Sequence, residues 1–342
     1  FRYWISFNQP MTTTTAQDFL FQRIKALLPP NQTIVDAISE LLNISSDSAY
    51  RRIRGETQLV LDEVSILCNH FSFSMDQLLN LKTNSVLFQN IRVDANNYSY
   101  EQYLQELVQL MQQAENFSTK EIIYLTKDIP IFHNFYFTSL AEFRYYFWMK
   151  YILRHPDFSD KHFQFDSLPP TIEPLSKKLI KLYTKIPSVE IWNTECVNST
   201  ISQIEFCKDS GNFLRASDIK KIYEALEMTI LHLQSQAENG YKYLPGEEEQ
   251  TKKAEFNFFY NRVILGDNTI LVSADQNKTA YLNYDVLNYI RTTDVDFCNQ
   301  CYEDLKNIMR KSTLISKTSE KQRNIFFGVL LAKIEDRKNI LS

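Results

Sequence analysis

The sequence predicts a mainly α protein: a five-helix N-terminal domain followed by a larger, mostly helical α+β domain that carries a small β-meander. Three observations lead there. Apolar residues recur at helical spacing along most of the 342 residues. Between Phe256 and Leu282 the pattern changes to three β-rich runs, 256–264, 269–274 and 278–282. They are separated by Gly266-Asp267-Asn268 and Asp275-Gln276-Asn277, both turn signals. The chain also exceeds the roughly 250–300 residues at which a single core stops growing, so two domains are expected.

Residues 1–16 read as an N-terminal extension. Phe1 to Pro10 lack the charged start, long apolar run and small-residue cleavage site of a signal peptide, and Met11 reads as a native start after an upstream extension. Helix one carries Phe19, Leu20, Ile24, Leu27 and Leu28 on one face and stops at Pro29-Pro30, because a residue before proline is pushed out of the α region. Helix two begins at Gln32-Thr33, presents Ile34, Ile38, Leu41 and Leu42, and ends near Asn43. Ser45 or Ser46 is placed to cap helix three, which runs to about Arg54 and stops at Gly55. A fourth helix carries Leu61, Val64, Leu67, Cys68 and Phe71, and a fifth carries Met75, Leu78 and Leu79 behind Ser74. These define a domain over 17–81. Residues 82–98 open on the polar Lys82-Thr83-Asn84-Ser85 and read as a linker, and 99–342 form the second domain.

In that second domain Tyr103, Leu104, Leu107, Leu110 and Met111 mark a helix, and 121–125 a short strand. Helical stripes follow at 139–153, 175–186, 197–208, 218–237, 294–311 and 319–336. The stripe of Ile219, Ile222, Tyr223, Leu226, Ile230 and Leu233 is read either as a dimer interface or as core. Ten aromatics between Phe132 and Tyr151 favour a packed core or subunit interface over a ligand pocket, since aromatics dominate both by buried area.

Composition narrows the function classes. With 44% hydrophobic and 13% aromatic residues the chain has material for packed cores. A net charge of -4 excludes a chain-wide basic field, so any nucleic-acid contact must be local. Five cysteines, an odd and scattered set, argue against a disulfide framework and for the cytoplasm. The most apolar stretch, Phe143 to Leu153, is interrupted by Arg144 and Lys150, so no membrane segment is expected. Cys298 and Cys301 have the spacing of a metal or redox pair but no completing partners, and the five histidines show no ligand spacing. With six glycines and no phosphate-cradling motif, the sequence supports no catalytic constellation, metal or cofactor, and a non-enzyme is expected.

The segment Asn43-Ile44-Ser45-Ser46-Asp47-Ser48-Ala49-Tyr50-Arg51-Arg52-Ile53-Arg54-Gly55-Glu56 joins helix two, through a polar turn, to a short helix closed by glycine. That arrangement lets a recognition helix project into a major groove. Ala49 and Ile53, four apart, pack inward and leave Ser46, Asp47, Tyr50 and Arg51 outward. Here the chain resembles the Cro and λ-repressor-like (Xre-type) helix-turn-helix family, and Ser48 to Glu56 is particularly similar to the BetR-like regulators of bacteria. The resemblance covers about residues 17–81. It implies a λ-repressor-like fold and a transcription regulator whose partner is double-stranded DNA. Because one helix-turn-helix makes few base contacts, a dimer reading paired half-sites is expected, with the second domain serving dimerisation and sensing of a small-molecule or protein effector. By the resemblance Gln32 and Thr33 would touch the phosphate backbone. Ser46, Asp47, Tyr50 and Arg51 would face the groove, with Arg52 and Arg54 beside them. Ile53 departs from the family, many members of which carry an acidic residue two before the closing glycine. The rival expectation is a protein-interaction adaptor whose helix-turn-helix no longer binds DNA. It draws on the balance over 17–57 of Arg23, Lys25, Arg51, Arg52 and Arg54 against Asp18, Asp36, Glu40, Asp47 and Glu56.

Overall fold

The computed structural model describes residues 15–28, 32–71, 85–91, 99–247, 254–263, 268–284 and 288–340. The chain divides into two compact units, residues 1–85 and 86–342. The fifth N-terminal helix, expected over Met75, Leu78 and Leu79, lies outside the described residues, as does most of the Gly266-Asp267-Asn268 turn.

In the first unit the described helices are α1 (Ala16–Leu27), α2 (Ile34–Leu42), α3 (Ser46–Ile53) and α4 (Leu61–Phe71). Local chemistry sets their ends. Thr15 and Asp18 form a capping box on α1, Thr33 accepts from the Asp36 amide on α2, and Ser45 accepts from the Ser48 amide on α3. α2 and α3 close alike, each on a residue in the left-handed region: Asn43 at φ 50° and Gly55 at φ +74°. The Ile44 amide reaches back to the Ser39 carbonyl (3.0 Å) and the Glu56 amide to the Arg51 carbonyl (2.9 Å), the six-residue bridge of a Schellman ending. Leu20, Phe21, Ile24, Ile38, Ala49 and Leu67 form the core, and Ile53 packs against it half-buried. The large apolar side chains among them contribute about 1.5–3 kcal/mol each by leaving water.

The second unit has helices α5 (Tyr100–Glu115), α6 (Thr138–Phe147), α7 (Ile172–Tyr183), α8 (Asn198–Asp209), α9 (Ala216–Asn239), α10 (Val295–Arg310) and α11 (Glu320–Ile340). α6 runs on into a π-helical turn, Trp148–Ile152. Among the described residues eight strands form one sheet: β1 (Gln89–Ile91), β2 (Lys120–Leu125), β3 (Ser188–Trp192), β4 (Phe256–Tyr260), β5 (Thr269–Ala274), β6 (Asn277–Asn283), β7 (Tyr289–Thr292) and β8 (Thr313–Leu314). Their order is β1-β7-β6-β5-β2-β3-β4-β8, with β2, β3 and β4 parallel and the rest antiparallel. With 56% of the described residues helical and this sheet, the fold is mixed α+β.

The small meander expected over 256–282 is replaced by this larger sheet. The run at 256–260 pairs in parallel with β3, and the antiparallel meander is β5-β6-β7, its first hairpin turned at Asp275 with φ 51°. β5 puts its other edge against β2, so β4 has no place beside it. β1 falls inside the 82–98 segment read as linker, where it pairs with β7.

Alternation along the strands divides the sheet into two faces. Ile123, Val189, Ile191, Leu271 and Ala280 pack on Cys298 and Leu305 of α10. Ile122, Tyr124, Trp192, Phe256 and Phe258 belong to the main core with the other helices. The aromatic run from Phe132 to Tyr151 fills that core, and the α9 stripe from Ile219 to Leu233 is buried there too, inside the unit. No described helix is long and apolar enough to cross a membrane.

At the centre of this core sits a buried carboxylate. Glu190 of β3 accepts from Nε2 of His133 (2.8 Å), the Tyr183 hydroxyl (2.5 Å) and the Trp192 indole (2.8 Å). Burial alone would push its carboxyl up, but His133 and these donors outweigh burial and hold it below the usual range. Lys242 is equally enclosed, donating to the Ile186 carbonyl (2.6 Å) with its ammonium 3.5 Å from the Tyr183 ring centre. Burial brings it down to about 7.

Burial also lowers His232, which donates to the Tyr243 carbonyl (2.9 Å), from 6.5 to about 4. Between those values the unfolded chain binds a proton that the folded chain refuses, so stability falls as pH drops from 6.5 towards 4. The full effect is on the order of 3 kcal/mol at 1.36 kcal/mol per unit. Thermal melts at pH 6.5, 5.5 and 4.5 should show the His232→Phe variant losing less stability than the parent on acidification. Parallel losses would show that His232 is not the responsible group.

Candidate nucleic-acid interface

The helix-turn-helix is built from the two endings just described. Asn43 reverses the chain after α2, Ser45 starts α3, and Gly55 stops it after two turns. Ala49 is fully buried against the first unit's core, which fixes the rotation of α3 about its axis. Ser46, Asp47 and Arg51 are consequently exposed, and Tyr50 is 50% exposed.

The four sequence-predicted cation and aromatic positions are not equivalent. Arg51 and Arg54 keep most of their side-chain surface in water and reach Glu56 only at 3.9 and 3.5 Å. Exposed pairs of this kind contribute about 0–1 kcal/mol, so a phosphate can displace Glu56 from either guanidinium. Arg54 also lies 5.3 Å above the Tyr50 ring. Arg52 is committed elsewhere: its Nε and Nη2 clamp the Glu63 carboxylate (2.7–3.1 Å) and its Nη1 donates to the Ser48 carbonyl (3.2 Å). That clamp ties α3 to α4 and holds Glu63 below the usual carboxylate range. Gln32 is exposed at the start of α2, whereas the Thr33 hydroxyl is taken up by the Asp36 carboxylate (2.6 Å).

Two residues the sequence reading missed hold this surface in shape. Glu63 is one. The other is Gln17, whose amide donates to the Arg52 and Thr57 carbonyls (2.8 Å each) and accepts from the Leu59 amide (3.0 Å). Their partners lie 11 and 35–42 positions away, beyond any local pattern. Losing the three Gln17 bonds at about 1 kcal/mol each should make Gln17→Ala cost the first unit about 2–3 kcal/mol. Hydrogen exchange over residues 15–71 would report it as faster opening; unchanged protection at Leu59 would refute the clamp.

Among the described residues no group of three or more His, Cys, Asp or Glu side chains is placed to hold a metal. Cys298 is buried and Cys301 half-buried on α10, the latter pushed up by burial to about 11, away from thiolate chemistry. No protein-family model matches the chain, and no curated protein matches it.

Proposed function

We propose that this protein is a sequence-specific DNA-binding transcription regulator, cytoplasmic and dimeric, in which the first unit reads double-stranded DNA and the second serves regulation and dimerisation. The observation that supports the reading is the rotation of α3: Ala49 faces the core while Ser46, Asp47, Tyr50 and Arg51 stand in water on a helix of eight residues. Small polar groups at its start suit base edges, and Arg51 and Arg54 suit a base edge or phosphate. A dimer follows from the few contacts one such helix makes, since paired half-sites are the usual remedy.

The test is selection of bound duplexes from a random pool, followed by titration of the winner at several salt concentrations. A falling affinity with a log–log slope of about -0.9 per phosphate contact is expected. Light scattering of the full chain at micromolar concentration should give twice the mass of one chain. A flat salt response with no selected sequence would end this reading.

A second reading, the protein-interaction adaptor, is favoured by one surface feature. Val60 and Leu61, 58% and 68% exposed, stand side by side at the start of α4. Under the adaptor reading the double variant Val60→Ser/Leu61→Ser abolishes partner capture; under the DNA reading it leaves duplex affinity unchanged.

A further inference from the structure

Between α5 and the sheet of the second unit lies an apolar cleft of about 110 Å³, with Leu107 and Met111 on one wall and Ile270 and Val272 on the other. Tyr103, Ile131 and Tyr289 line this cleft and also a second cavity of about 20 Å³, room for about one water-sized group, so the two spaces adjoin. The second cavity is polar. Asn134, Arg144 and Trp148 line it, each at most 2% exposed. The Nε of Arg144, the indole Nε1 of Trp148 and both side-chain polar atoms of Asn134 have no hydrogen-bond partner among the described residues. A buried polar group left unpaired costs about 1–3 kcal/mol, and three such residues around one space imply an occupant that pairs them.

The donors are held in place from behind. Arg144 donates through Nη1 to Gln203 (2.5 Å) and Thr200 (3.3 Å) and through Nη2 to Asp128 (3.3 Å), and its guanidinium lies 4.9 Å above the Trp148 ring. Asp128 already balances its charge. A carboxylate would add a second, uncompensated negative charge beside Asp128, which burial makes costly. A neutral carbonyl oxygen instead offers two lone pairs, one each for the Arg144 and Trp148 N–H groups, and an adjoining N–H supplies the donor that Asn134 Oδ1 lacks, so that of the four unpaired atoms Asn134 Nδ2 alone is left without a partner from the ligand.

We propose that the second unit binds a small neutral molecule with an apolar chain and a secondary-amide head, the chain and the body of the head lying in the cleft, with only the carbonyl oxygen and N–H reaching into the polar cavity towards Asn134, Arg144 and Trp148. This site stands independently of the DNA reading. Calorimetric titration of the full chain with N-methyloctanamide should show saturable binding at one per chain, accompanied by a change in tryptophan emission from Trp148. Trp148→Phe, which keeps an aromatic ring beneath Arg144 and removes the donor, should weaken binding about tenfold. Filling the cleft by Leu110→Trp, from a half-buried position on α5, should abolish it while circular dichroism stays unchanged. If Leu110→Trp disturbs the fold, Trp148→Phe alone decides. Octanoate should bind at least tenfold more weakly than the amide. The proposal is overturned by no saturable binding up to about 1 mM, by octanoate binding as tightly as the amide, or by indifference of the affinity to Trp148→Phe. A single trapped water satisfying the three residues would appear as the first of these.

Discussion

Glu190→Ala is expected to lower the unfolding free energy of the second unit by about 3–5 kcal/mol, the range for removing one member of a buried charged network. The loss has identifiable parts. Nε2 of His133, the Tyr183 hydroxyl and the Trp192 indole each lose their acceptor, in a site where none is exposed enough for water to substitute. Lys242, buried and favoured in its charged form by Glu190, loses its counter-charge as well. Glu190→Gln keeps the volume and one acceptor oxygen and should cost roughly half as much. Urea unfolding followed by far-UV circular dichroism and by the emission of Trp192, which Glu190 touches directly, measures both. A cost below about 1 kcal/mol for the alanine variant would mean that the network is not the centre of this core's polar accounting.

Arg51→Ala should weaken binding to a selected operator by about 1–3 kcal/mol and relax preference at one base pair, provided Arg51 makes a bidentate contact to guanine. Its place supports this: it follows the buried Ala49 by two positions, is mostly in water, and carries only the long 3.9 Å contact to Glu56. Arg54, beside the closing Gly55, should touch phosphate instead, so that Arg54→Ala weakens all duplexes alike and reduces the salt slope by about one unit. Arg52→Ala differs from both, because Arg52 holds Glu63; it should lower the stability of the first unit before it alters recognition. Titrating the three variants against the operator and a scrambled duplex separates these outcomes. Unchanged affinity for Arg51→Ala and Arg54→Ala on both duplexes would place the arginines on a merely solvated face.

The helices were readable from the sequence because their signals are local. Thr33, Ser45, Asn43 and Gly55 act within a few residues of themselves, and the stripes of α9 and α10 are long enough to dominate any window. The sheet was only partly readable. β3, Ser188-Val-Glu-Ile-Trp, has every residue buried, yet the glutamate at its centre reads as a surface position until His133, Tyr183 and Trp192 are brought around it. β1, β7 and β8, of two to four residues, carry too little pattern to register. The parallel pairing of β2, β3 and β4 depends on partners 66 and 68 positions apart, which no periodicity encodes. At the candidate interface the outward set on α3 was readable from Ala49 and Ile53, while the commitment of Arg52 to Glu63 was not.

The edge strand has a consequence for how the protein is made. Arg291, which pairs with Gln89 where β7 meets β1, lies 202 positions further along the chain. At about 5–20 residues per second a ribosome needs roughly 10–40 s to traverse that interval. During this time Gln89–Ile91 has been synthesised with its partner still unmade, whereas the first unit, whose described bonds span 42 positions or fewer, has all it needs to fold. The nascent chain therefore carries a finished N-terminal unit followed by a waiting strand, a species open to mispairing with other chains.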